Sequence, residues 1–258
     1  MNQDAPHNTF TACYGPDNSG NIFLDANLRS FEHEAASSNL SPKFHAGPLF
    51  VLAGEQRDIF LKYYLVLQVN KGTQGIGLAL LMGDGGFSVE GEENLQELHM
   101  KQLVLCQFLA ALMNIKVGGV FVCKIFDCFT PFTVGCLYCI YRSFADFAII
   151  KPVTSRPANS ERYVVARHKW LRRPPVVDYL LQVNAELNAV PKRDVVEAPS
   201  LLVTRALTLA LALGFQVVPN GEMTEEFKEY MKASSIDIGE KQIEGPPDLR
   251  FPTPKSLT

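Results

Sequence analysis

Apolar residues fall into short runs whose period changes along the chain. Residues 76–82 form a compact apolar run that Gly83-Asp84-Gly85-Gly86 breaks, the pattern of a buried strand ending in a glycine-rich turn. Residues 92–116 follow at helical period. Leu98, Leu105, Leu109 and Leu112 share one face there, and Cys106, Ala110 and Met113 widen it. Glu92 and Glu93 stand at the start and Lys116 at the end, as the helix dipole favours, and Gly118-Gly119 closes the stretch. Residues 120–126 predict a second strand, 127–131 a loop and 133–144 a second helix. Two further strands, over 147–150 and 162–166, are separated by a loop containing Pro157 without a helix, so they predict an antiparallel pair. Strand, helix, strand, helix, strand, strand is an α/β sheet with a terminal antiparallel hairpin.

The flanks carry less pattern. Residues 1–35 are polar and turn-rich, with Ser19-Gly20-Asn21-Ile22 predicting a turn that enters a new element. Residues 36–47 read as loop, and 49–67 as helix or strand without a clean period. Residues 176–187 and 225–232 predict helices. The stretch 201–215 is apolar but contains Arg205 and is shorter than the ~20 residues a membrane span needs, so it predicts a soluble helix or an aberrant insert. From Gly245 onward, Pro246, Pro247, Pro252 and Pro254 predict disorder.

A length of 258 residues suits one large domain or two small ones, and 47% hydrophobic with 20% charged residues is ordinary for a packed soluble protein. A net charge of −3 excludes a globally basic nucleic-acid binder and leaves a local basic groove open. The six cysteines are Cys13, Cys106, Cys123, Cys128, Cys136 and Cys139, and no charged-then-apolar signal precedes them. Free thiols in a reducing compartment follow. Cys136 and Cys139 form C-x-x-C, compatible with redox or zinc chemistry. They lie in an apolar helical run without a second ligand pair at metal spacing, so buried cysteines and no metal are expected.

Lys124 stands among six apolar residues in Val120-Phe121-Val122-Cys123-Lys124-Ile125-Phe126, in a strand expected to have helices on both sides. A lysine buried there is rare unless paired, and a neutral amine can take a proton from a hydroxyl; a strand-end lysine that snorkels to water is the alternative. Asp84 opens a glycine turn at the carboxyl end of a strand, where ligands of open α/β sheets bind; a plain turn aspartate is equally compatible. Glu161 and Asn159 enter a strand near the same edge, or lie on an exposed hairpin. The run Arg167-His168-Lys169-Trp170-Leu171-Arg172-Arg173 could hold phosphates beside a stacked base, or form a solvated basic loop.

Three long motifs carry a resemblance. They are Met82-Gly83-Asp84-Gly85-Gly86-Phe87-Ser88-Val89-Glu90-Gly91, Gly118-Gly119-Val120-Phe121-Val122-Cys123-Lys124-Ile125-Phe126-Asp127 and Thr154-Ser155-Arg156-Pro157-Ala158-Asn159-Ser160-Glu161-Arg162-Tyr163. They resemble the FtsJ-like 2′-O-methyltransferases, and among these the enzymes that make cap 1 by methylating the first transcribed nucleotide of mRNA. The resemblance covers residues 78–166 and continues more weakly through 176–188 and 217–244. It implies a Rossmann-like methyltransferase sheet, S-adenosyl-L-methionine as cofactor and the capped mRNA 5′ end as partner. It further implies the transcription machinery as a second partner, no membrane, and the nucleus, with the cytoplasm as a second compartment.

The family works with a Lys-Asp-Lys-Glu tetrad, and Asp84, Lys124 and Glu161 match its last three members. By the resemblance Lys124 deprotonates the ribose 2′-OH while Asp84 and Glu161 orient it. Asn94 and Asn159 match positions that touch RNA, and Asn21, Ile22 and Asp84 match positions at the cofactor. The family's first lysine and its Cys-x-x-Pro-Gly-Gly cofactor loop have no counterpart among these residues. The chain therefore reads as a partial domain over 1–190 with an atypical insert near 36–66. A helical extension over 191–258 follows, with a second insert near 198–216. Weak cofactor binding follows from that reading, and a catalytically inactive RNA-binding relative is its alternative.

Overall fold

The computed structural model describes residues 14–37, 49–50, 53–56, 59–62, 65–68, 77–86, 95–152, 155–156, 159–189 and 217–244. Five α-helices and eight strands fall within them. The helices are α1 (Asp25–Ser37), α2 (Gln96–Asn114), α3 (Pro131–Ser143), α4 (Val176–Ala189) and α5 (Glu225–Glu244). The strands are β1 (Leu49–Phe50), β2 (Ala53–Gln56), β3 (Ile59–Lys62), β4 (Leu65–Gln68), β5 (Leu78–Gly83), β6 (Ile115–Ile125), β7 (Phe144–Ile150) and β8 (Arg162–Lys169).

Six strands form one sheet in the order β1-β4-β5-β6-β8-β7, and β2 and β3 pair separately. Only β5 and β6 run parallel; every other neighbouring pair is antiparallel. The expected α/β sheet with its terminal antiparallel pair is present. β8 inserts between β6 and β7, so the returning strand lies directly beside the one that carries Lys124.

The α2 segment helps to hold the sheet in shape. It contains one β-branched residue, Val104, in nineteen positions and is rich in Leu, Met, Ala and Gln, all good helix formers. Every residue from Leu103 to Asn114 is buried, because α2 packs on β5 and β6 while α1, α3 and α4 lean on it. Each fully buried Leu or Phe in such a layer contributes about 1.5–3 kcal/mol. The helix stops at Asn114 because the β-branched Ile115 turns extended (φ −70°, ψ 133°) and starts β6. The expected end at Lys116, before Gly118-Gly119, is therefore two residues late, and Lys116 lies in a strand instead of the last helical turn. Residues 92–94 lie outside the described residues.

Two segments read from the sequence as turn or insert have structure. Within residues 1–35 the polar stretch forms most of α1, whose Leu28 and Phe31 are fully buried. Its apolar face rests on so few residues that no helical period stands out. The expected insert over 36–66 contains the last two residues of α1 and three complete strands, and Leu65 and Val66 begin β4. β4 pairs with β5 (Leu65↔Gly83, Gln68↔Leu80) and carries β1 on its other side. Strands of two to four residues are too short to show alternation, which is why this stretch had no period. The second expected insert, 198–216, and the tail from 245 lie outside the described residues.

α5 runs twelve residues past its expected end. Its Phe227 ring lies 5.1 Å from those of Tyr138 and Tyr141, and Tyr230 meets Phe147 edge-on at 5.7 Å, so the helix is sewn onto α3 and β7 by aromatic contacts. Among the described residues no helix is long and apolar enough to cross a membrane.

Candidate active site

The parallel register of β5 and β6 sets the site. Gly83 pairs with Cys123, so Asp84 and Lys124 come next at adjacent strand ends. Lys124 Nζ lies 2.5 Å from Asp84 Oδ1. Lys124 is mostly enclosed, at 16% side-chain exposure, whereas Asp84 is 54% exposed. Along β6, Phe121, Cys123 and Ile125 are fully buried while Val120, Val122 and Lys124 alternate onto a half-buried face. Lys124 is thus not sealed between helix layers as the apolar run suggested. It keeps partial access to water and has a charged partner. The Phe126 ring, 6.0 Å from Nζ, bounds it toward the next loop.

The turn after β5 is fixed from below. Gln107 on α2 accepts a hydrogen bond from the Gly85 N–H at 3.0 Å. A Cβ on Gly83 would come within 2.6 Å of that same Gln107 oxygen, so this position needs a glycine for close approach.

Glu161 reaches the site through Tyr163. Tyr163 is the cross-strand partner of Lys124 and so shares its face of the sheet, and its hydroxyl donates to Glu161 Oε1 at 3.2 Å. Burial, with Glu161 and Asp84 nearby, pushes the Tyr163 hydroxyl up to about 12, which keeps it a donor. The segment leading to Glu161 has several anchors. Asn159 Oδ1 accepts from the Glu161 N–H at 2.8 Å, and Ser160 donates to Gln96 at 2.9 Å. Lys151 Nζ donates to the Glu161 carbonyl at 3.1 Å and to the Asn159 carbonyl. Arg162, almost wholly buried, pairs with Asp127 at 2.7 Å.

A third loop, between β6 and α3, borders the same pole. The buried Glu97 carboxylate accepts from the Phe129 N–H (3.0 Å), the Thr130 N–H (2.8 Å) and the Thr130 hydroxyl (2.7 Å). Thr130 in turn caps α3 and Pro131 starts it, a favourable N-terminal pair.

The structure brings Asp84, Lys124 and Glu161 to one edge, with Asn159 bracing the last of them. It does not join Asn21 and Ile22 to that group. Asn21 accepts from the Phe23 N–H at 3.0 Å, and its carbonyl accepts from Asn27 at 3.0 Å. The Ile22 side chain is buried in the core. Gly15 packs tightly under Asn27, in a backbone conformation (φ +73°) that only glycine adopts easily. Asn94 lies outside the described residues.

The basic run over 167–173 divides in two. Lys169 is buried and donates to the carbonyls of Ala111, Leu112, Ile115 and Arg172, and Arg172 donates to the Met113 carbonyl. These cations cap the end of α2, where unpaired carbonyls gather. Two of the cations that suggested phosphate contact are therefore structural, a role only tertiary packing reveals. Trp170 is exposed and borders a cavity of about 380 Å³ with Tyr138, Arg142 and Leu171, at the opposite ends of the strands from Lys124. Cys106, Cys123, Cys128, Cys136 and Cys139 are buried and unbridged. Among the described residues no group of three or more His, Cys, Asp or Glu is placed to hold a metal.

The profile of the FtsJ-like methyltransferases matches residues 13–169. The chain is 51% identical over 138 residues to a zebrafish (Danio rerio) protein named cap-specific mRNA (nucleoside-2′-O-)-methyltransferase 1, covering 53% of this chain and 17% of that protein. It is 55% identical over 122 residues to the Homo sapiens protein of the same name, covering 47% of this chain and 15% of that one. A Dictyostelium discoideum protein, also of that name, is 38% identical over 189 residues, covering 73% of this chain and 20% of its own length. The chain thus spans a fifth or less of the relatives it matches.

Proposed function

The chain belongs to the FtsJ-like methyltransferase family, and we propose that its Asp84–Lys124–Glu161 site methylates the ribose 2′-OH of the first transcribed nucleotide of capped mRNA. The observation that carries this reading is the 2.5 Å pairing of Lys124 Nζ with Asp84 at the carboxyl ends of two parallel strands, where an open α/β sheet binds its ligands. The names of the relatives support a 2′-OH of capped mRNA as the acceptor.

Lys124 is the base. Its amine takes the proton of the 2′-OH, and the ammonium that results is stabilised by the Asp84 carboxylate. Glu161, held by Tyr163 and by the anchored segment from Asn159, adds a second negative charge on the same side. Asn159 and Asn94 are the residues we assign to RNA contact, with Asn159 also holding Glu161 in place.

The residues after β5 fit a cationic methyl donor. Asp84 offers an exposed carboxylate, and a side chain on Gly86 would fill the space beside Lys124, its Cβ 3.8 Å from Nζ. When bound, S-adenosylmethionine supplies an electrophilic methyl on a sulfonium, which the ribose oxygen takes as the carbon–sulfur bond breaks. Asp84 would hold its charge. Asn21 and Ile22 are the further residues we assign to it, Ile22 by its main chain since its side chain is in the core. Positioning of the hydroxyl against the methyl carries much of the rate in such a displacement.

The test uses the 258-residue chain at saturating S-adenosylmethionine with two capped RNAs that differ only in a 2′-OH or 2′-deoxy first nucleotide. Methyl label on the first ribose of the 2′-OH RNA, and none on the 2′-deoxy RNA, is expected. Equal labelling of both would place the acceptor elsewhere and overturn the reading.

A further inference from the structure

Phe129 is the most exposed large apolar side chain among the described residues, at 65%, yet its backbone is anchored to a buried carboxylate. Its N–H and that of its neighbour Thr130 both end on the buried Glu97 carboxylate. The Arg162 guanidinium lies 5.8 Å from the ring centroid and is itself fixed by Asp127 at 2.7 Å, by the Ser160 carbonyl at 3.2 Å and by the Cys128 sulfur at 3.6 Å. Arg162 is 1% exposed, so it backs the ring and cannot reach a ligand itself. The outcome is an aromatic ring on a rigid support, with most of its surface open to solvent. It stands five residues after Lys124, on the loop that leaves the carboxyl end of β6.

We infer that Phe129 is a stacking platform for a nucleobase of the RNA substrate, that of the nucleotide following the methylated one on its 3′ side. The inference rests on the proposed RNA-modifying function and adds a binding site to it. Three features favour a base as occupant. A ring with a guanidinium over one side, at cation–π distance, presents its remaining surface to a second planar π-system. The loop borders the pole where the reacting ribose must sit, so the nucleotide that follows that ribose passes over a neighbouring loop. Stacking also needs no hydrogen-bond partner from the protein, which suits a nucleotide whose base varies from one mRNA to the next.

The binding of two capped RNAs to the wild-type chain and to Phe129→Ala tests this by fluorescence anisotropy. One RNA is intact; the other carries an abasic site at the nucleotide that follows the target. Phe129→Ala is expected to weaken the intact RNA by about tenfold, the cost typical of one lost base stack, and to bind the abasic RNA as wild type does. Phe129→Trp should restore the affinity for intact RNA. Because the ring is exposed, both variants should melt with wild type, and a melting curve checks this. If Phe129→Ala binds intact RNA as tightly as wild type, or weakens both RNAs equally, the platform is wrong while the methyltransferase reading stands. If the wild-type chain binds neither RNA, the underlying reading fails and the platform with it.

Discussion

Asp84 and Lys124 lie side by side because Gly83 and Cys123 pair in a parallel register, which leaves Nζ 2.5 Å from Oδ1 at the ends of β5 and β6. Neither residue could take this place by itself. A one-residue slip of β5 against β6 would turn Asp84 to the other face of the sheet and leave an enclosed amine without its partner. The turn that follows is pinned by Gln107, so the register is held from the helix layer as well as from the strands.

Asp84→Asn tests the charge in that pair. The amide keeps an acceptor oxygen near Lys124 but cannot stabilise an ammonium as a carboxylate does. Methyl transfer should fall by about tenfold or more, the loss expected when a hydrogen bond to a charged group loses its charge. The melting temperature should barely move, since Asp84 is half exposed. Rate assays and melting curves on the same preparation separate the two effects.

Glu97→Ala should destabilise the fold by about 2–3 kcal/mol, because two backbone N–H groups and a hydroxyl lose their shared buried acceptor. Glu97→Gln retains one acceptor oxygen and should cost less. Chemical denaturation of the three proteins gives the order wild type, Gln, Ala; an Ala variant as stable as wild type would remove Glu97 as the anchor of the loop.

Burial, reinforced by Arg172, brings the Lys169 amine down to about 7 from its usual 10.5. Between these values the unfolded chain binds more protons than the folded one. The contribution of Lys169 to stability therefore rises with pH from about 7 to 10.5 and is flat below 7, with a slope of up to about 1.4 kcal/mol per pH unit. Lys169→Met should be less stable, since it leaves the α2 carbonyls without a donor, and should lack this part of the slope. Urea unfolding of both proteins from pH 6 to 10, an illustrative window of about four units, reads the difference directly. Parallel curves would contradict the assignment.

Tyr163→Phe removes the donor to Glu161 and leaves the ring in place. Transfer should fall by roughly fivefold, the value of one ordinary hydrogen bond. Ultraviolet titration should show that the variant has lost a tyrosine that resists ionisation until about pH 12.

The sheet and the three motif residues were legible because each rests on a long local signal. An apolar run ending in Gly83-Asp84-Gly85-Gly86 marks a strand end, and Lys124 stands out among apolar neighbours whatever the topology. The helix of residues 96–114 was visible from its leucines, but its end was misplaced. A pair of glycines looked like the stop, whereas the chain turns at Ile115 and the carbonyls are capped from β8, more than fifty residues away. α1 was missed, and residues 49–67 stayed open between helix and strand, because a helix with few apolar residues and strands of two to four residues leave almost no periodic trace. Tyr163 and Glu97 act through contacts that depend on register and packing. A tyrosine two residues after Glu161 in a strand was the only hint available, since that spacing puts both on one face.

As the proposed base of a 2′-O-methyl transfer, Lys124 must be indispensable to the chemical step. Single-turnover transfer to capped RNA, measured for wild type, Lys124→Ala and Lys124→Arg at saturating S-adenosylmethionine, reads that step alone. Both variants should lose about 10²–10⁴-fold in rate, the alanine for want of a base and the arginine because a guanidinium stays protonated, while RNA affinity stays near wild type. If either variant keeps more than roughly a tenth of the wild-type rate, a loss well below that expected for a general base, Lys124 is not the base.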